Sequence, residues 1–394
     1  MSKTRANLIY ILAAIIALGP LSVDLYLPAM PAMRSYFNTD IAYVQLTLSS
    51  YLLGFSIFHL VCGPLSDRYG RKPILAGGLL LYITMSVLCA QASTIEELVI
   101  CRFIQAMGAC CAPTLGRAIV RDHYEGQAAI KALAYVSSLM AIAPVIAPSL
   151  GGIIIKYADW TMTFYMLAGA GVLALLLTVF VVPESLPQKQ LLHPINILKN
   201  FSHLLTHPSF MAHVLIASFL YSCAFAFLSG VSFILIDFMQ VKPEHFGLYF
   251  LCIVTGYISG NLFTGKIAHA WPIQRIYPIS LVISFIPSLA MVGFSLAQWY
   301  YPLLYVVPVL FNTMAIGLLL PRAMAEALKP FPHMAATASA MMGFLQMAIA
   351  SIAGGLVGYF LVDNPLPMAL VIAAGSGISL VLFSLFRNTI RTAI

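Results

Sequence analysis

Apolar stretches long enough to cross a lipid bilayer recur along almost the whole of this chain. Hydropathy read in windows of about 19 residues predicts twelve of them, and roughly 20 apolar residues are enough for one helical crossing. They are interpreted as helices because a membrane β-barrel shows short strands of alternating polarity. The predicted spans are 8–30, 44–64, 74–92, 97–118, 131–155, 162–183, 209–235, 246–268, 276–297, 302–321, 336–360 and 366–386.

Composition independently excludes an ordinary soluble protein. Hydrophobic residues make up 61% of the 394 residues and charged residues only 8%, whereas a soluble protein carries about a quarter charged residues. The seven cysteines all fall inside apolar runs without zinc-type spacing, so they are interpreted as small core residues. The sequence contains no Walker loop, GxSxG or HExxH motif. We therefore expect neither an enzyme nor an ATP-driven pump, and no metal or cofactor.

The distribution of positive charge predicts which ends of the spans face the cytoplasm, since Lys and Arg concentrate on that side. With the N-terminus inside, the outer loops hold only Arg34, Lys156 and Lys242 of the 20 cations. Both termini are therefore predicted to be cytoplasmic, and the apolar N-terminus is predicted to be an uncleaved first helix. The net charge of +7 is spread along the chain, so no nucleic-acid partner is expected.

A polar, proline-bearing stretch divides the chain into two predicted domains. Residues 184–208 are interpreted as a cytoplasmic linker between an N-terminal six-helix half, 1–183, and a C-terminal six-helix half, 209–394. Two similar halves place a substrate site near the membrane midplane, where they face each other. Matches at about half the chain length support the repeat: Gly151–Gly152 with Gly354–Gly355, Arg117 with Arg322, and Gly63 with Gly260.

A charged turn, Gly-Pro-Leu-Ser-Asp-Arg-Tyr-Gly-Arg-Lys-Pro at 63–73, separates the second and third spans. One acid among several cations at a helix junction exceeds what membrane topology requires, so we expect a charge network that biases two conformations. The alternative is a loop that only sets topology. The predicted gating residues are Gly63, Asp67, Arg68, Gly70, Arg71 and Lys72 in the turn, with Arg121 and Asp122 at the end of span four.

An acid within the first span is the leading candidate for proton coupling. Asp24 and Arg102 are predicted to lie at similar depth in spans one and four, and an ionisable group at that depth usually has a partner or a task. We interpret Asp24 as the proton-exchanging group, with Arg102 tuning it. The alternatives are a permanent ion pair or a carboxylate wetted at the interface. Weaker candidates are Asp237 near the outer end of span seven, and His59 and His213, which are more typical of packing residues.

Several motifs resemble one branch of a known transporter family. The 63–73 turn resembles the signature loop of the major facilitator superfamily. Span five, with Pro144, Pro148 and the pair Gly151–Gly152, fits an antiporter motif in which Ala-Pro here replaces Gly-Pro. Together with Asp24-Leu-Tyr-Leu-Pro28, Arg102-Phe-Ile-Gln105-Ala-Met-Gly108, Arg117-Ala-Ile-Val-Arg121-Asp122 and Pro183-Glu184-Ser-Leu-Pro187, it resembles Bcr/CflA-type drug/proton antiporters.

The resemblance implies a monomeric bacterial inner-membrane exporter that exchanges cytoplasmic amphipathic compounds for protons by alternating access. Relatives in that group are associated with resistance to bicyclomycin, sulfonamides or phenicols. The alternatives are an exporter or symporter of a metabolite such as a siderophore or peptide, and a membrane receptor or scaffold that transports nothing. Ile16 stands where some superfamily antiporters carry a second acid, which argues against a two-acid mechanism in span one.

Residues near mid-depth in both halves are candidates to line a substrate cavity. Aromatic residues and methionine give an adaptable apolar surface, and amides give hydrogen bonds that orient a ligand. The alternative for each is a side chain facing lipid or a neighbouring helix. The candidates are Gln105, Met140, Tyr221, Phe225, Tyr257, Asn312 and Gln346.

Overall fold

The computed structural model describes residues 3–124, 128, 132–133, 135–136, 139–140, 142–186, 194–267, 271–331, 334–361 and 364–392. Its regular elements over these residues are all helices, as the sequence predicts. Eleven of them are long and apolar enough to cross a membrane. The fifth predicted span, 131–155, lies partly outside the described residues, and its described part is the shorter apolar helix Ala143–Tyr157.

The chain forms two compact units. The first comprises Met1–Asn38 and Ser50–Pro194. Its helices, with α4 beginning ahead of Ser50, are α1 (Lys3–Ile16), α2 (Leu18–Asp24), α3 (Met30–Phe37), α4 (Ile41–Tyr69), α5 (Arg71–Ala90), α6 (Ile95–His123), α7 (Ala143–Tyr157) and α8 (Thr161–Phe180).

The second unit comprises Thr39–Ser49 and Ile195–Ile394. The stretch that the sequence predicts as a linker contains a 13-residue helix, α9, which hydropathy does not indicate because polar residues interrupt it. The remaining helices are α9 (Pro194–Thr206), α10 (Pro208–Ser232), α11 (Pro243–Ile267), α12 (Ile273–Leu296), α13 (Pro302–Leu328), α14 (Ala335–Phe360) and α15 (Leu366–Thr392).

The first span is interrupted in its C-terminal part. It runs from Leu8 to Phe37, longer than the predicted 8–30, and its α-helix stops at Asp24. Residues 25–26 form a bend, and a short 3-10 turn at Leu27–Ala29 leads into α3. Proline disfavours a helical conformation at the residue before it and lacks a backbone N–H. Pro28 therefore accounts for the break and places Asp24 at the end of a half-helix.

Close helix contacts at glycines relate the two units to each other as repeats. Gly54 in α4 packs on the backbone oxygen of Phe103, and Gly256 in α11 packs in the same way on that of Leu310. A side chain at either glycine would overlap the neighbouring backbone, so these positions allow the helices to approach closely.

The sequence match of Gly63 with Gly260 is wrong in detail. A Cβ at Gly63 would meet nothing within 4 Å, whereas Gly260 packs against the backbone of Met314. The two glycines therefore differ in role, because Gly63 lies at an open position inside α4 and Gly260 lies at a close contact between helices. The match of Gly151 with Gly354 agrees with the packing, since each glycine of this pair contacts the first span of its own unit, at Leu25 or Ser229.

Candidate functional site

Asp24 lies at the break in the first span and is almost completely buried. Its exposed fraction is 5%. Within the described residues, no ion pair or hydrogen bond reaches its carboxyl group. A buried charge is expensive unless it is paired and hydrogen-bonded. The position therefore suits a group whose charge can change.

Helix α7 packs directly on this break. A Cβ added at Gly151 would overlap the backbone oxygen of Leu25 and would lie 3.2 Å from Cδ of Pro28. Gly152 and Pro148 are also buried, so the face of the predicted antiporter motif points into the unit. Pro144 lies in the first turn of α7, where its missing N–H costs nothing. The motif thus forms a close contact with the segment that carries Asp24.

Arg102, in α6, is fully buried. Its Nη1 donates to Oε1 of Gln105 at 2.7 Å, and its Nη2 donates to the backbone oxygen of Ser22 at 3.2 Å. The guanidinium carbon lies 4.2 Å from the ring centroids of both Tyr26 and Tyr51. Such aromatic faces attract a cation, more strongly when water is excluded.

The ion pair between Asp24 and Arg102 that the sequence allows is not formed among the described contacts of this conformation. Aromatic rings and a backbone carbonyl surround the guanidinium instead, and its Nε has no hydrogen-bond partner. Arg102 still contacts the segment that holds the acid, because Ser22 and Tyr26 flank Asp24. The sequence placed the two charges in one region but did not indicate the aromatic contacts.

Gln105 extends the polar network within the first unit. Its Nε2 donates to Oγ of Ser86 in α5 at 2.7 Å, and the side chain is fully buried. The second unit has a parallel hydrogen bond, from Nδ2 of Asn312 to Oγ of Ser284 at 2.7 Å. The buried residue three positions before Asn312 is Val309, where the first unit has Arg102. In this conformation Gln105 and Asn312, two of the three predicted cavity amides, bond within their own units.

The other predicted cavity residues of the second unit are partly or largely buried. Tyr221 and Phe225 are neighbours on α10, with ring centroids 5.2 Å apart. Gln346 in α14 is buried, and its Nε2 has no hydrogen-bond partner. Tyr257, like Met140 of the first unit, is half-buried. These placements leave a ligand-binding role as a prediction.

The weaker candidates differ in their surroundings. Asp237 is half-buried in a π-helical turn, Phe233–Phe238. His59 contacts Sγ of Cys110 through Nδ1 at 3.2 Å. His213 shares a hydrogen bond of 2.6 Å with the hydroxyl of Tyr277. His213 is buried and His59 is half-buried, and each has the partnered environment typical of packing residues.

The turn between α4 and α5 holds a compact ion network. Nη1 of Arg71 lies 2.7 Å from Asp67, and its Nε lies 3.4 Å from Asp122 in α6. The same Nη1 also donates to Oγ of Ser66 at 2.5 Å. The network thus connects three helices of the first unit. Arg68 instead lies over the ring of Tyr69.

The remaining predicted gating residues are not part of the ion pairs that Arg71 forms. Arg121 is exposed and forms no ion pair with the described residues. Nζ of Lys72 donates to the backbone oxygen of Val179 at 2.8 Å. Gly63, predicted as part of the gate, lies inside α4 rather than in the turn.

Glu184 completes this network, a role that the sequence did not indicate. Its two carboxylate oxygens accept hydrogen bonds from the backbone N–H groups of Arg71 at 3.0 Å and Lys72 at 3.2 Å. It therefore caps the N-terminus of α5, where an anion is favoured. Gly70 is required at this contact, because its φ is 109° and a Cβ would overlap the carboxylate. The following Ser185 donates to Asp122 at 2.8 Å.

Replacing Glu184 with Gln should loosen the first turn of α5. Loss of a helix cap costs about 1 kcal/mol, so the amides of Arg71 and Lys72, which Glu184 caps, should exchange hydrogen for deuterium faster at pH 7. Glu96→Gln is the matched control, because Glu96 is exposed and has no hydrogen bond among the described residues. Equal exchange in the two variants would show that the cap does not hold the turn.

The same cap should weaken in acid. Burial alone would raise the pKa of Glu184, but hydrogen bonds from four backbone N–H groups outweigh it and hold the pKa below its usual value. A lowered folded pKa gives a contribution that is present at neutral pH and lost as the pH falls through that folded value. The difference in exchange between wild type and Glu184→Gln should therefore disappear in acid.

Comparisons with known proteins agree with this architecture. The sequence profile of the Major Facilitator Superfamily matches residues 12–355. An uncharacterized MFS-type transporter, YdgK of Bacillus subtilis, is 33% identical over 90% of this chain and 89% of its own. A bicyclomycin resistance protein homolog of Haemophilus influenzae is 27% identical over 95% of each chain. The multidrug resistance protein MdtL of Escherichia coli is 27% identical over 86% of this chain and 85% of its own.

A solved structure supports the fold. The crystal structure of a peptide transporter, POT, superposes with a TM-score of 0.79 at 14% identity, covering 99% of this chain and 96% of that chain. At this identity the likeness concerns the fold alone. The profile match covers most of the sequence, and the first two relatives are matched over 89% and 95% of their own lengths. This chain is therefore a multi-pass membrane protein that belongs to the Major Facilitator Superfamily.

Proposed function

We propose that the protein exports amphipathic small molecules across the bacterial inner membrane in exchange for protons. The observation that carries the proposal is Asp24, a buried acid without a described partner at a break in a membrane helix. The relatives named for bicyclomycin and multidrug resistance support drugs as the substrate class. The export direction rests on the resemblance of α7 to the antiporter motif.

Asp24 binds a proton when it is buried and releases it when water reaches it, because water stabilises the charged form. Arg102 positions the segment around the acid through Ser22 and Tyr26. Gly151 couples α7 to the same segment, since the two backbones are in contact. A movement of α7 would therefore change the exposure of Asp24.

The six-helix halves, 1–183 and 209–394, would alternate between two arrangements, with both termini and the linker 184–208 in the cytoplasm. In this proposal the ion network around Arg71 stabilises one arrangement and is broken in the other. Polar and aromatic side chains of both halves bind the substrate as the access changes. These are Gln105, Met140, Tyr221, Phe225, Tyr257, Asn312 and Gln346.

Proton release from inverted membrane vesicles tests the function directly. Vesicles containing the protein are given an acidic interior, and bicyclomycin, a sulfonamide or a phenicol is added outside. We expect the compound to enter and the interior pH to rise. Vesicles without the protein are the control. A gradient that no compound dissipates would contradict drug/proton antiport and favour another substrate or a symporter.

A further inference from the structure

A small cavity opens between the first turns of α12 and the last turns of α15 in the second unit. Its volume is about 250 Å³, and it is lined by Gln274, Pro278, Phe383, Arg387 and Ile390. Cavities that bind drug-sized ligands start at about 300 Å³. This cavity is therefore better matched to a chemical group than to a whole transported compound.

Arg387 gives the cavity a positive charge, and its described lining residues include no acid. Glu326, in the neighbouring α13, is paired with Lys329. Arg387 is exposed and makes no ion pair with the described residues. The sequences of α12 and α15 contain no Asp or Glu. The cavity lies at the start of α12 and at the end of α15, so the positive end of one helix dipole and the negative end of the other offset each other, and Arg387 supplies the local positive charge. An anion is the ligand that this arrangement favours.

The walls and surroundings favour an anion attached to an apolar body. Pro278, Phe383 and Ile390 form the apolar part of the lining. On α12, the row that begins with Gln274 and Pro278 continues at four-residue spacing with Val282 and Ile286, which are 44% and 61% exposed. This apolar row runs into the membrane-spanning part of α12. A hydrocarbon chain attached to a bound anion can lie along it.

We propose that this cavity binds the phosphate of an anionic phospholipid. Arg387 pairs with the phosphate, and Gln274 supplies an amide hydrogen bond. The apolar walls contact the glycerol, and the acyl chains follow Val282 and Ile286. Basic pockets between membrane helices are known lipid headgroup sites. The site is separate from the proton and substrate residues, so it does not depend on the proposed transport activity.

Lipid binding to the purified full chain tests this site. Native mass spectrometry in detergent would compare phosphatidylglycerol with phosphatidylcholine of the same acyl chains. We expect preferential binding of phosphatidylglycerol, and a loss of about tenfold or more in Arg387→Gln, because a charge-assisted hydrogen bond is removed. Arg387→Lys should recover part of the binding.

The control is Lys242→Gln, which removes an exposed cation before α11, at the other end of that helix from α12. It should bind phosphatidylglycerol as the wild type does. An equal loss in both cation variants would overturn the site in favour of unspecific attraction. Equal binding of phosphatidylcholine would also overturn it. Displacement of the lipid by millimolar inorganic phosphate would show a free-anion site instead. Unfolding temperatures in lipid-free detergent that match the wild type would confirm that the variants are folded.

Discussion

Asp24→Asn should abolish substrate-triggered proton release while the protein still folds and inserts. Asparagine keeps the size and polarity of the side chain but cannot exchange a proton. The buried position should tolerate the amide, since a neutral side chain avoids the cost of a buried charge. The measurement is the change in interior pH of inverted vesicles on addition of a transported compound, at matched protein levels.

Asp40→Asn provides the matched control for this prediction. Asp40 is exposed between α3 and α4, so the same chemical change there should leave proton release unaltered. Binding of the compound to purified Asp24→Asn would show that loss of coupling is not loss of the fold. Release that survives in Asp24→Asn would exclude Asp24 as the coupling acid, and Asp237 would be tested next.

Gly151→Ala should destabilise the protein and reduce transport, although alanine is the better helix former. In an open helix position, alanine is favoured over glycine by about 1 kcal/mol. At Gly151 the added Cβ would overlap the Leu25 backbone, so α7 or the broken segment must move. Overpacking of this kind costs about 1–3 kcal/mol. The expected result is a lower unfolding temperature in detergent together with slower drug efflux.

Gly169→Ala is the matched control, because it makes the same glycine-to-alanine substitution at a position without a close helix contact. Gly169, in α8, is exposed, and a Cβ there would meet nothing within 4 Å. This variant should be as stable as the wild type or more stable, with normal efflux. If Gly151→Ala behaved in the same way, the contact between α7 and the break would not be required for function.

Hydropathy and charge were enough to predict the helical membrane fold, because each span must satisfy its backbone hydrogen bonds within itself. They did not predict where the first span breaks. The apolar run continues through Leu25 and Leu27, so the break is invisible to an average over about 19 residues. The prolines at 28 and 31 were the available local signal, and they indicate a disturbed helix without fixing where it resumes.

The sequence indicated which residues belong to the candidate site, but not which side chains contact one another. The predicted depths of Asp24 and Arg102 in the membrane placed them in one region. In the structure, the Arg102 guanidinium contacts Ser22 and Tyr26, which flank Asp24. The ring of Tyr26 comes from the bend in the first span and that of Tyr51 from α4, and their positions depend on how the helices are rotated. Residue spacing within a single helix carries no information about that rotation.

The cap on α5 depends on a similar long-range contact. Glu184 lies more than 100 residues from Arg71 in sequence, and its role follows from where the end of α8 meets the turn. The sequence indicated Glu184 only as part of a linker motif. Local rules of helix capping look for the acceptor within the same few residues, so they could not identify it.

The parallel amide bonds of Gln105 and Asn312 have a consequence for how such a transporter can evolve. Among the described residues, Asp24 and Arg102 are the only buried acid and the only buried Arg or Lys, and both belong to the first unit. The second unit keeps the amide-to-serine bond but has Val309 in place of the arginine. Under the proposed mechanism, mutations that alter which compounds are carried can accumulate in the second unit while the proposed proton-coupling residues of the first remain unchanged.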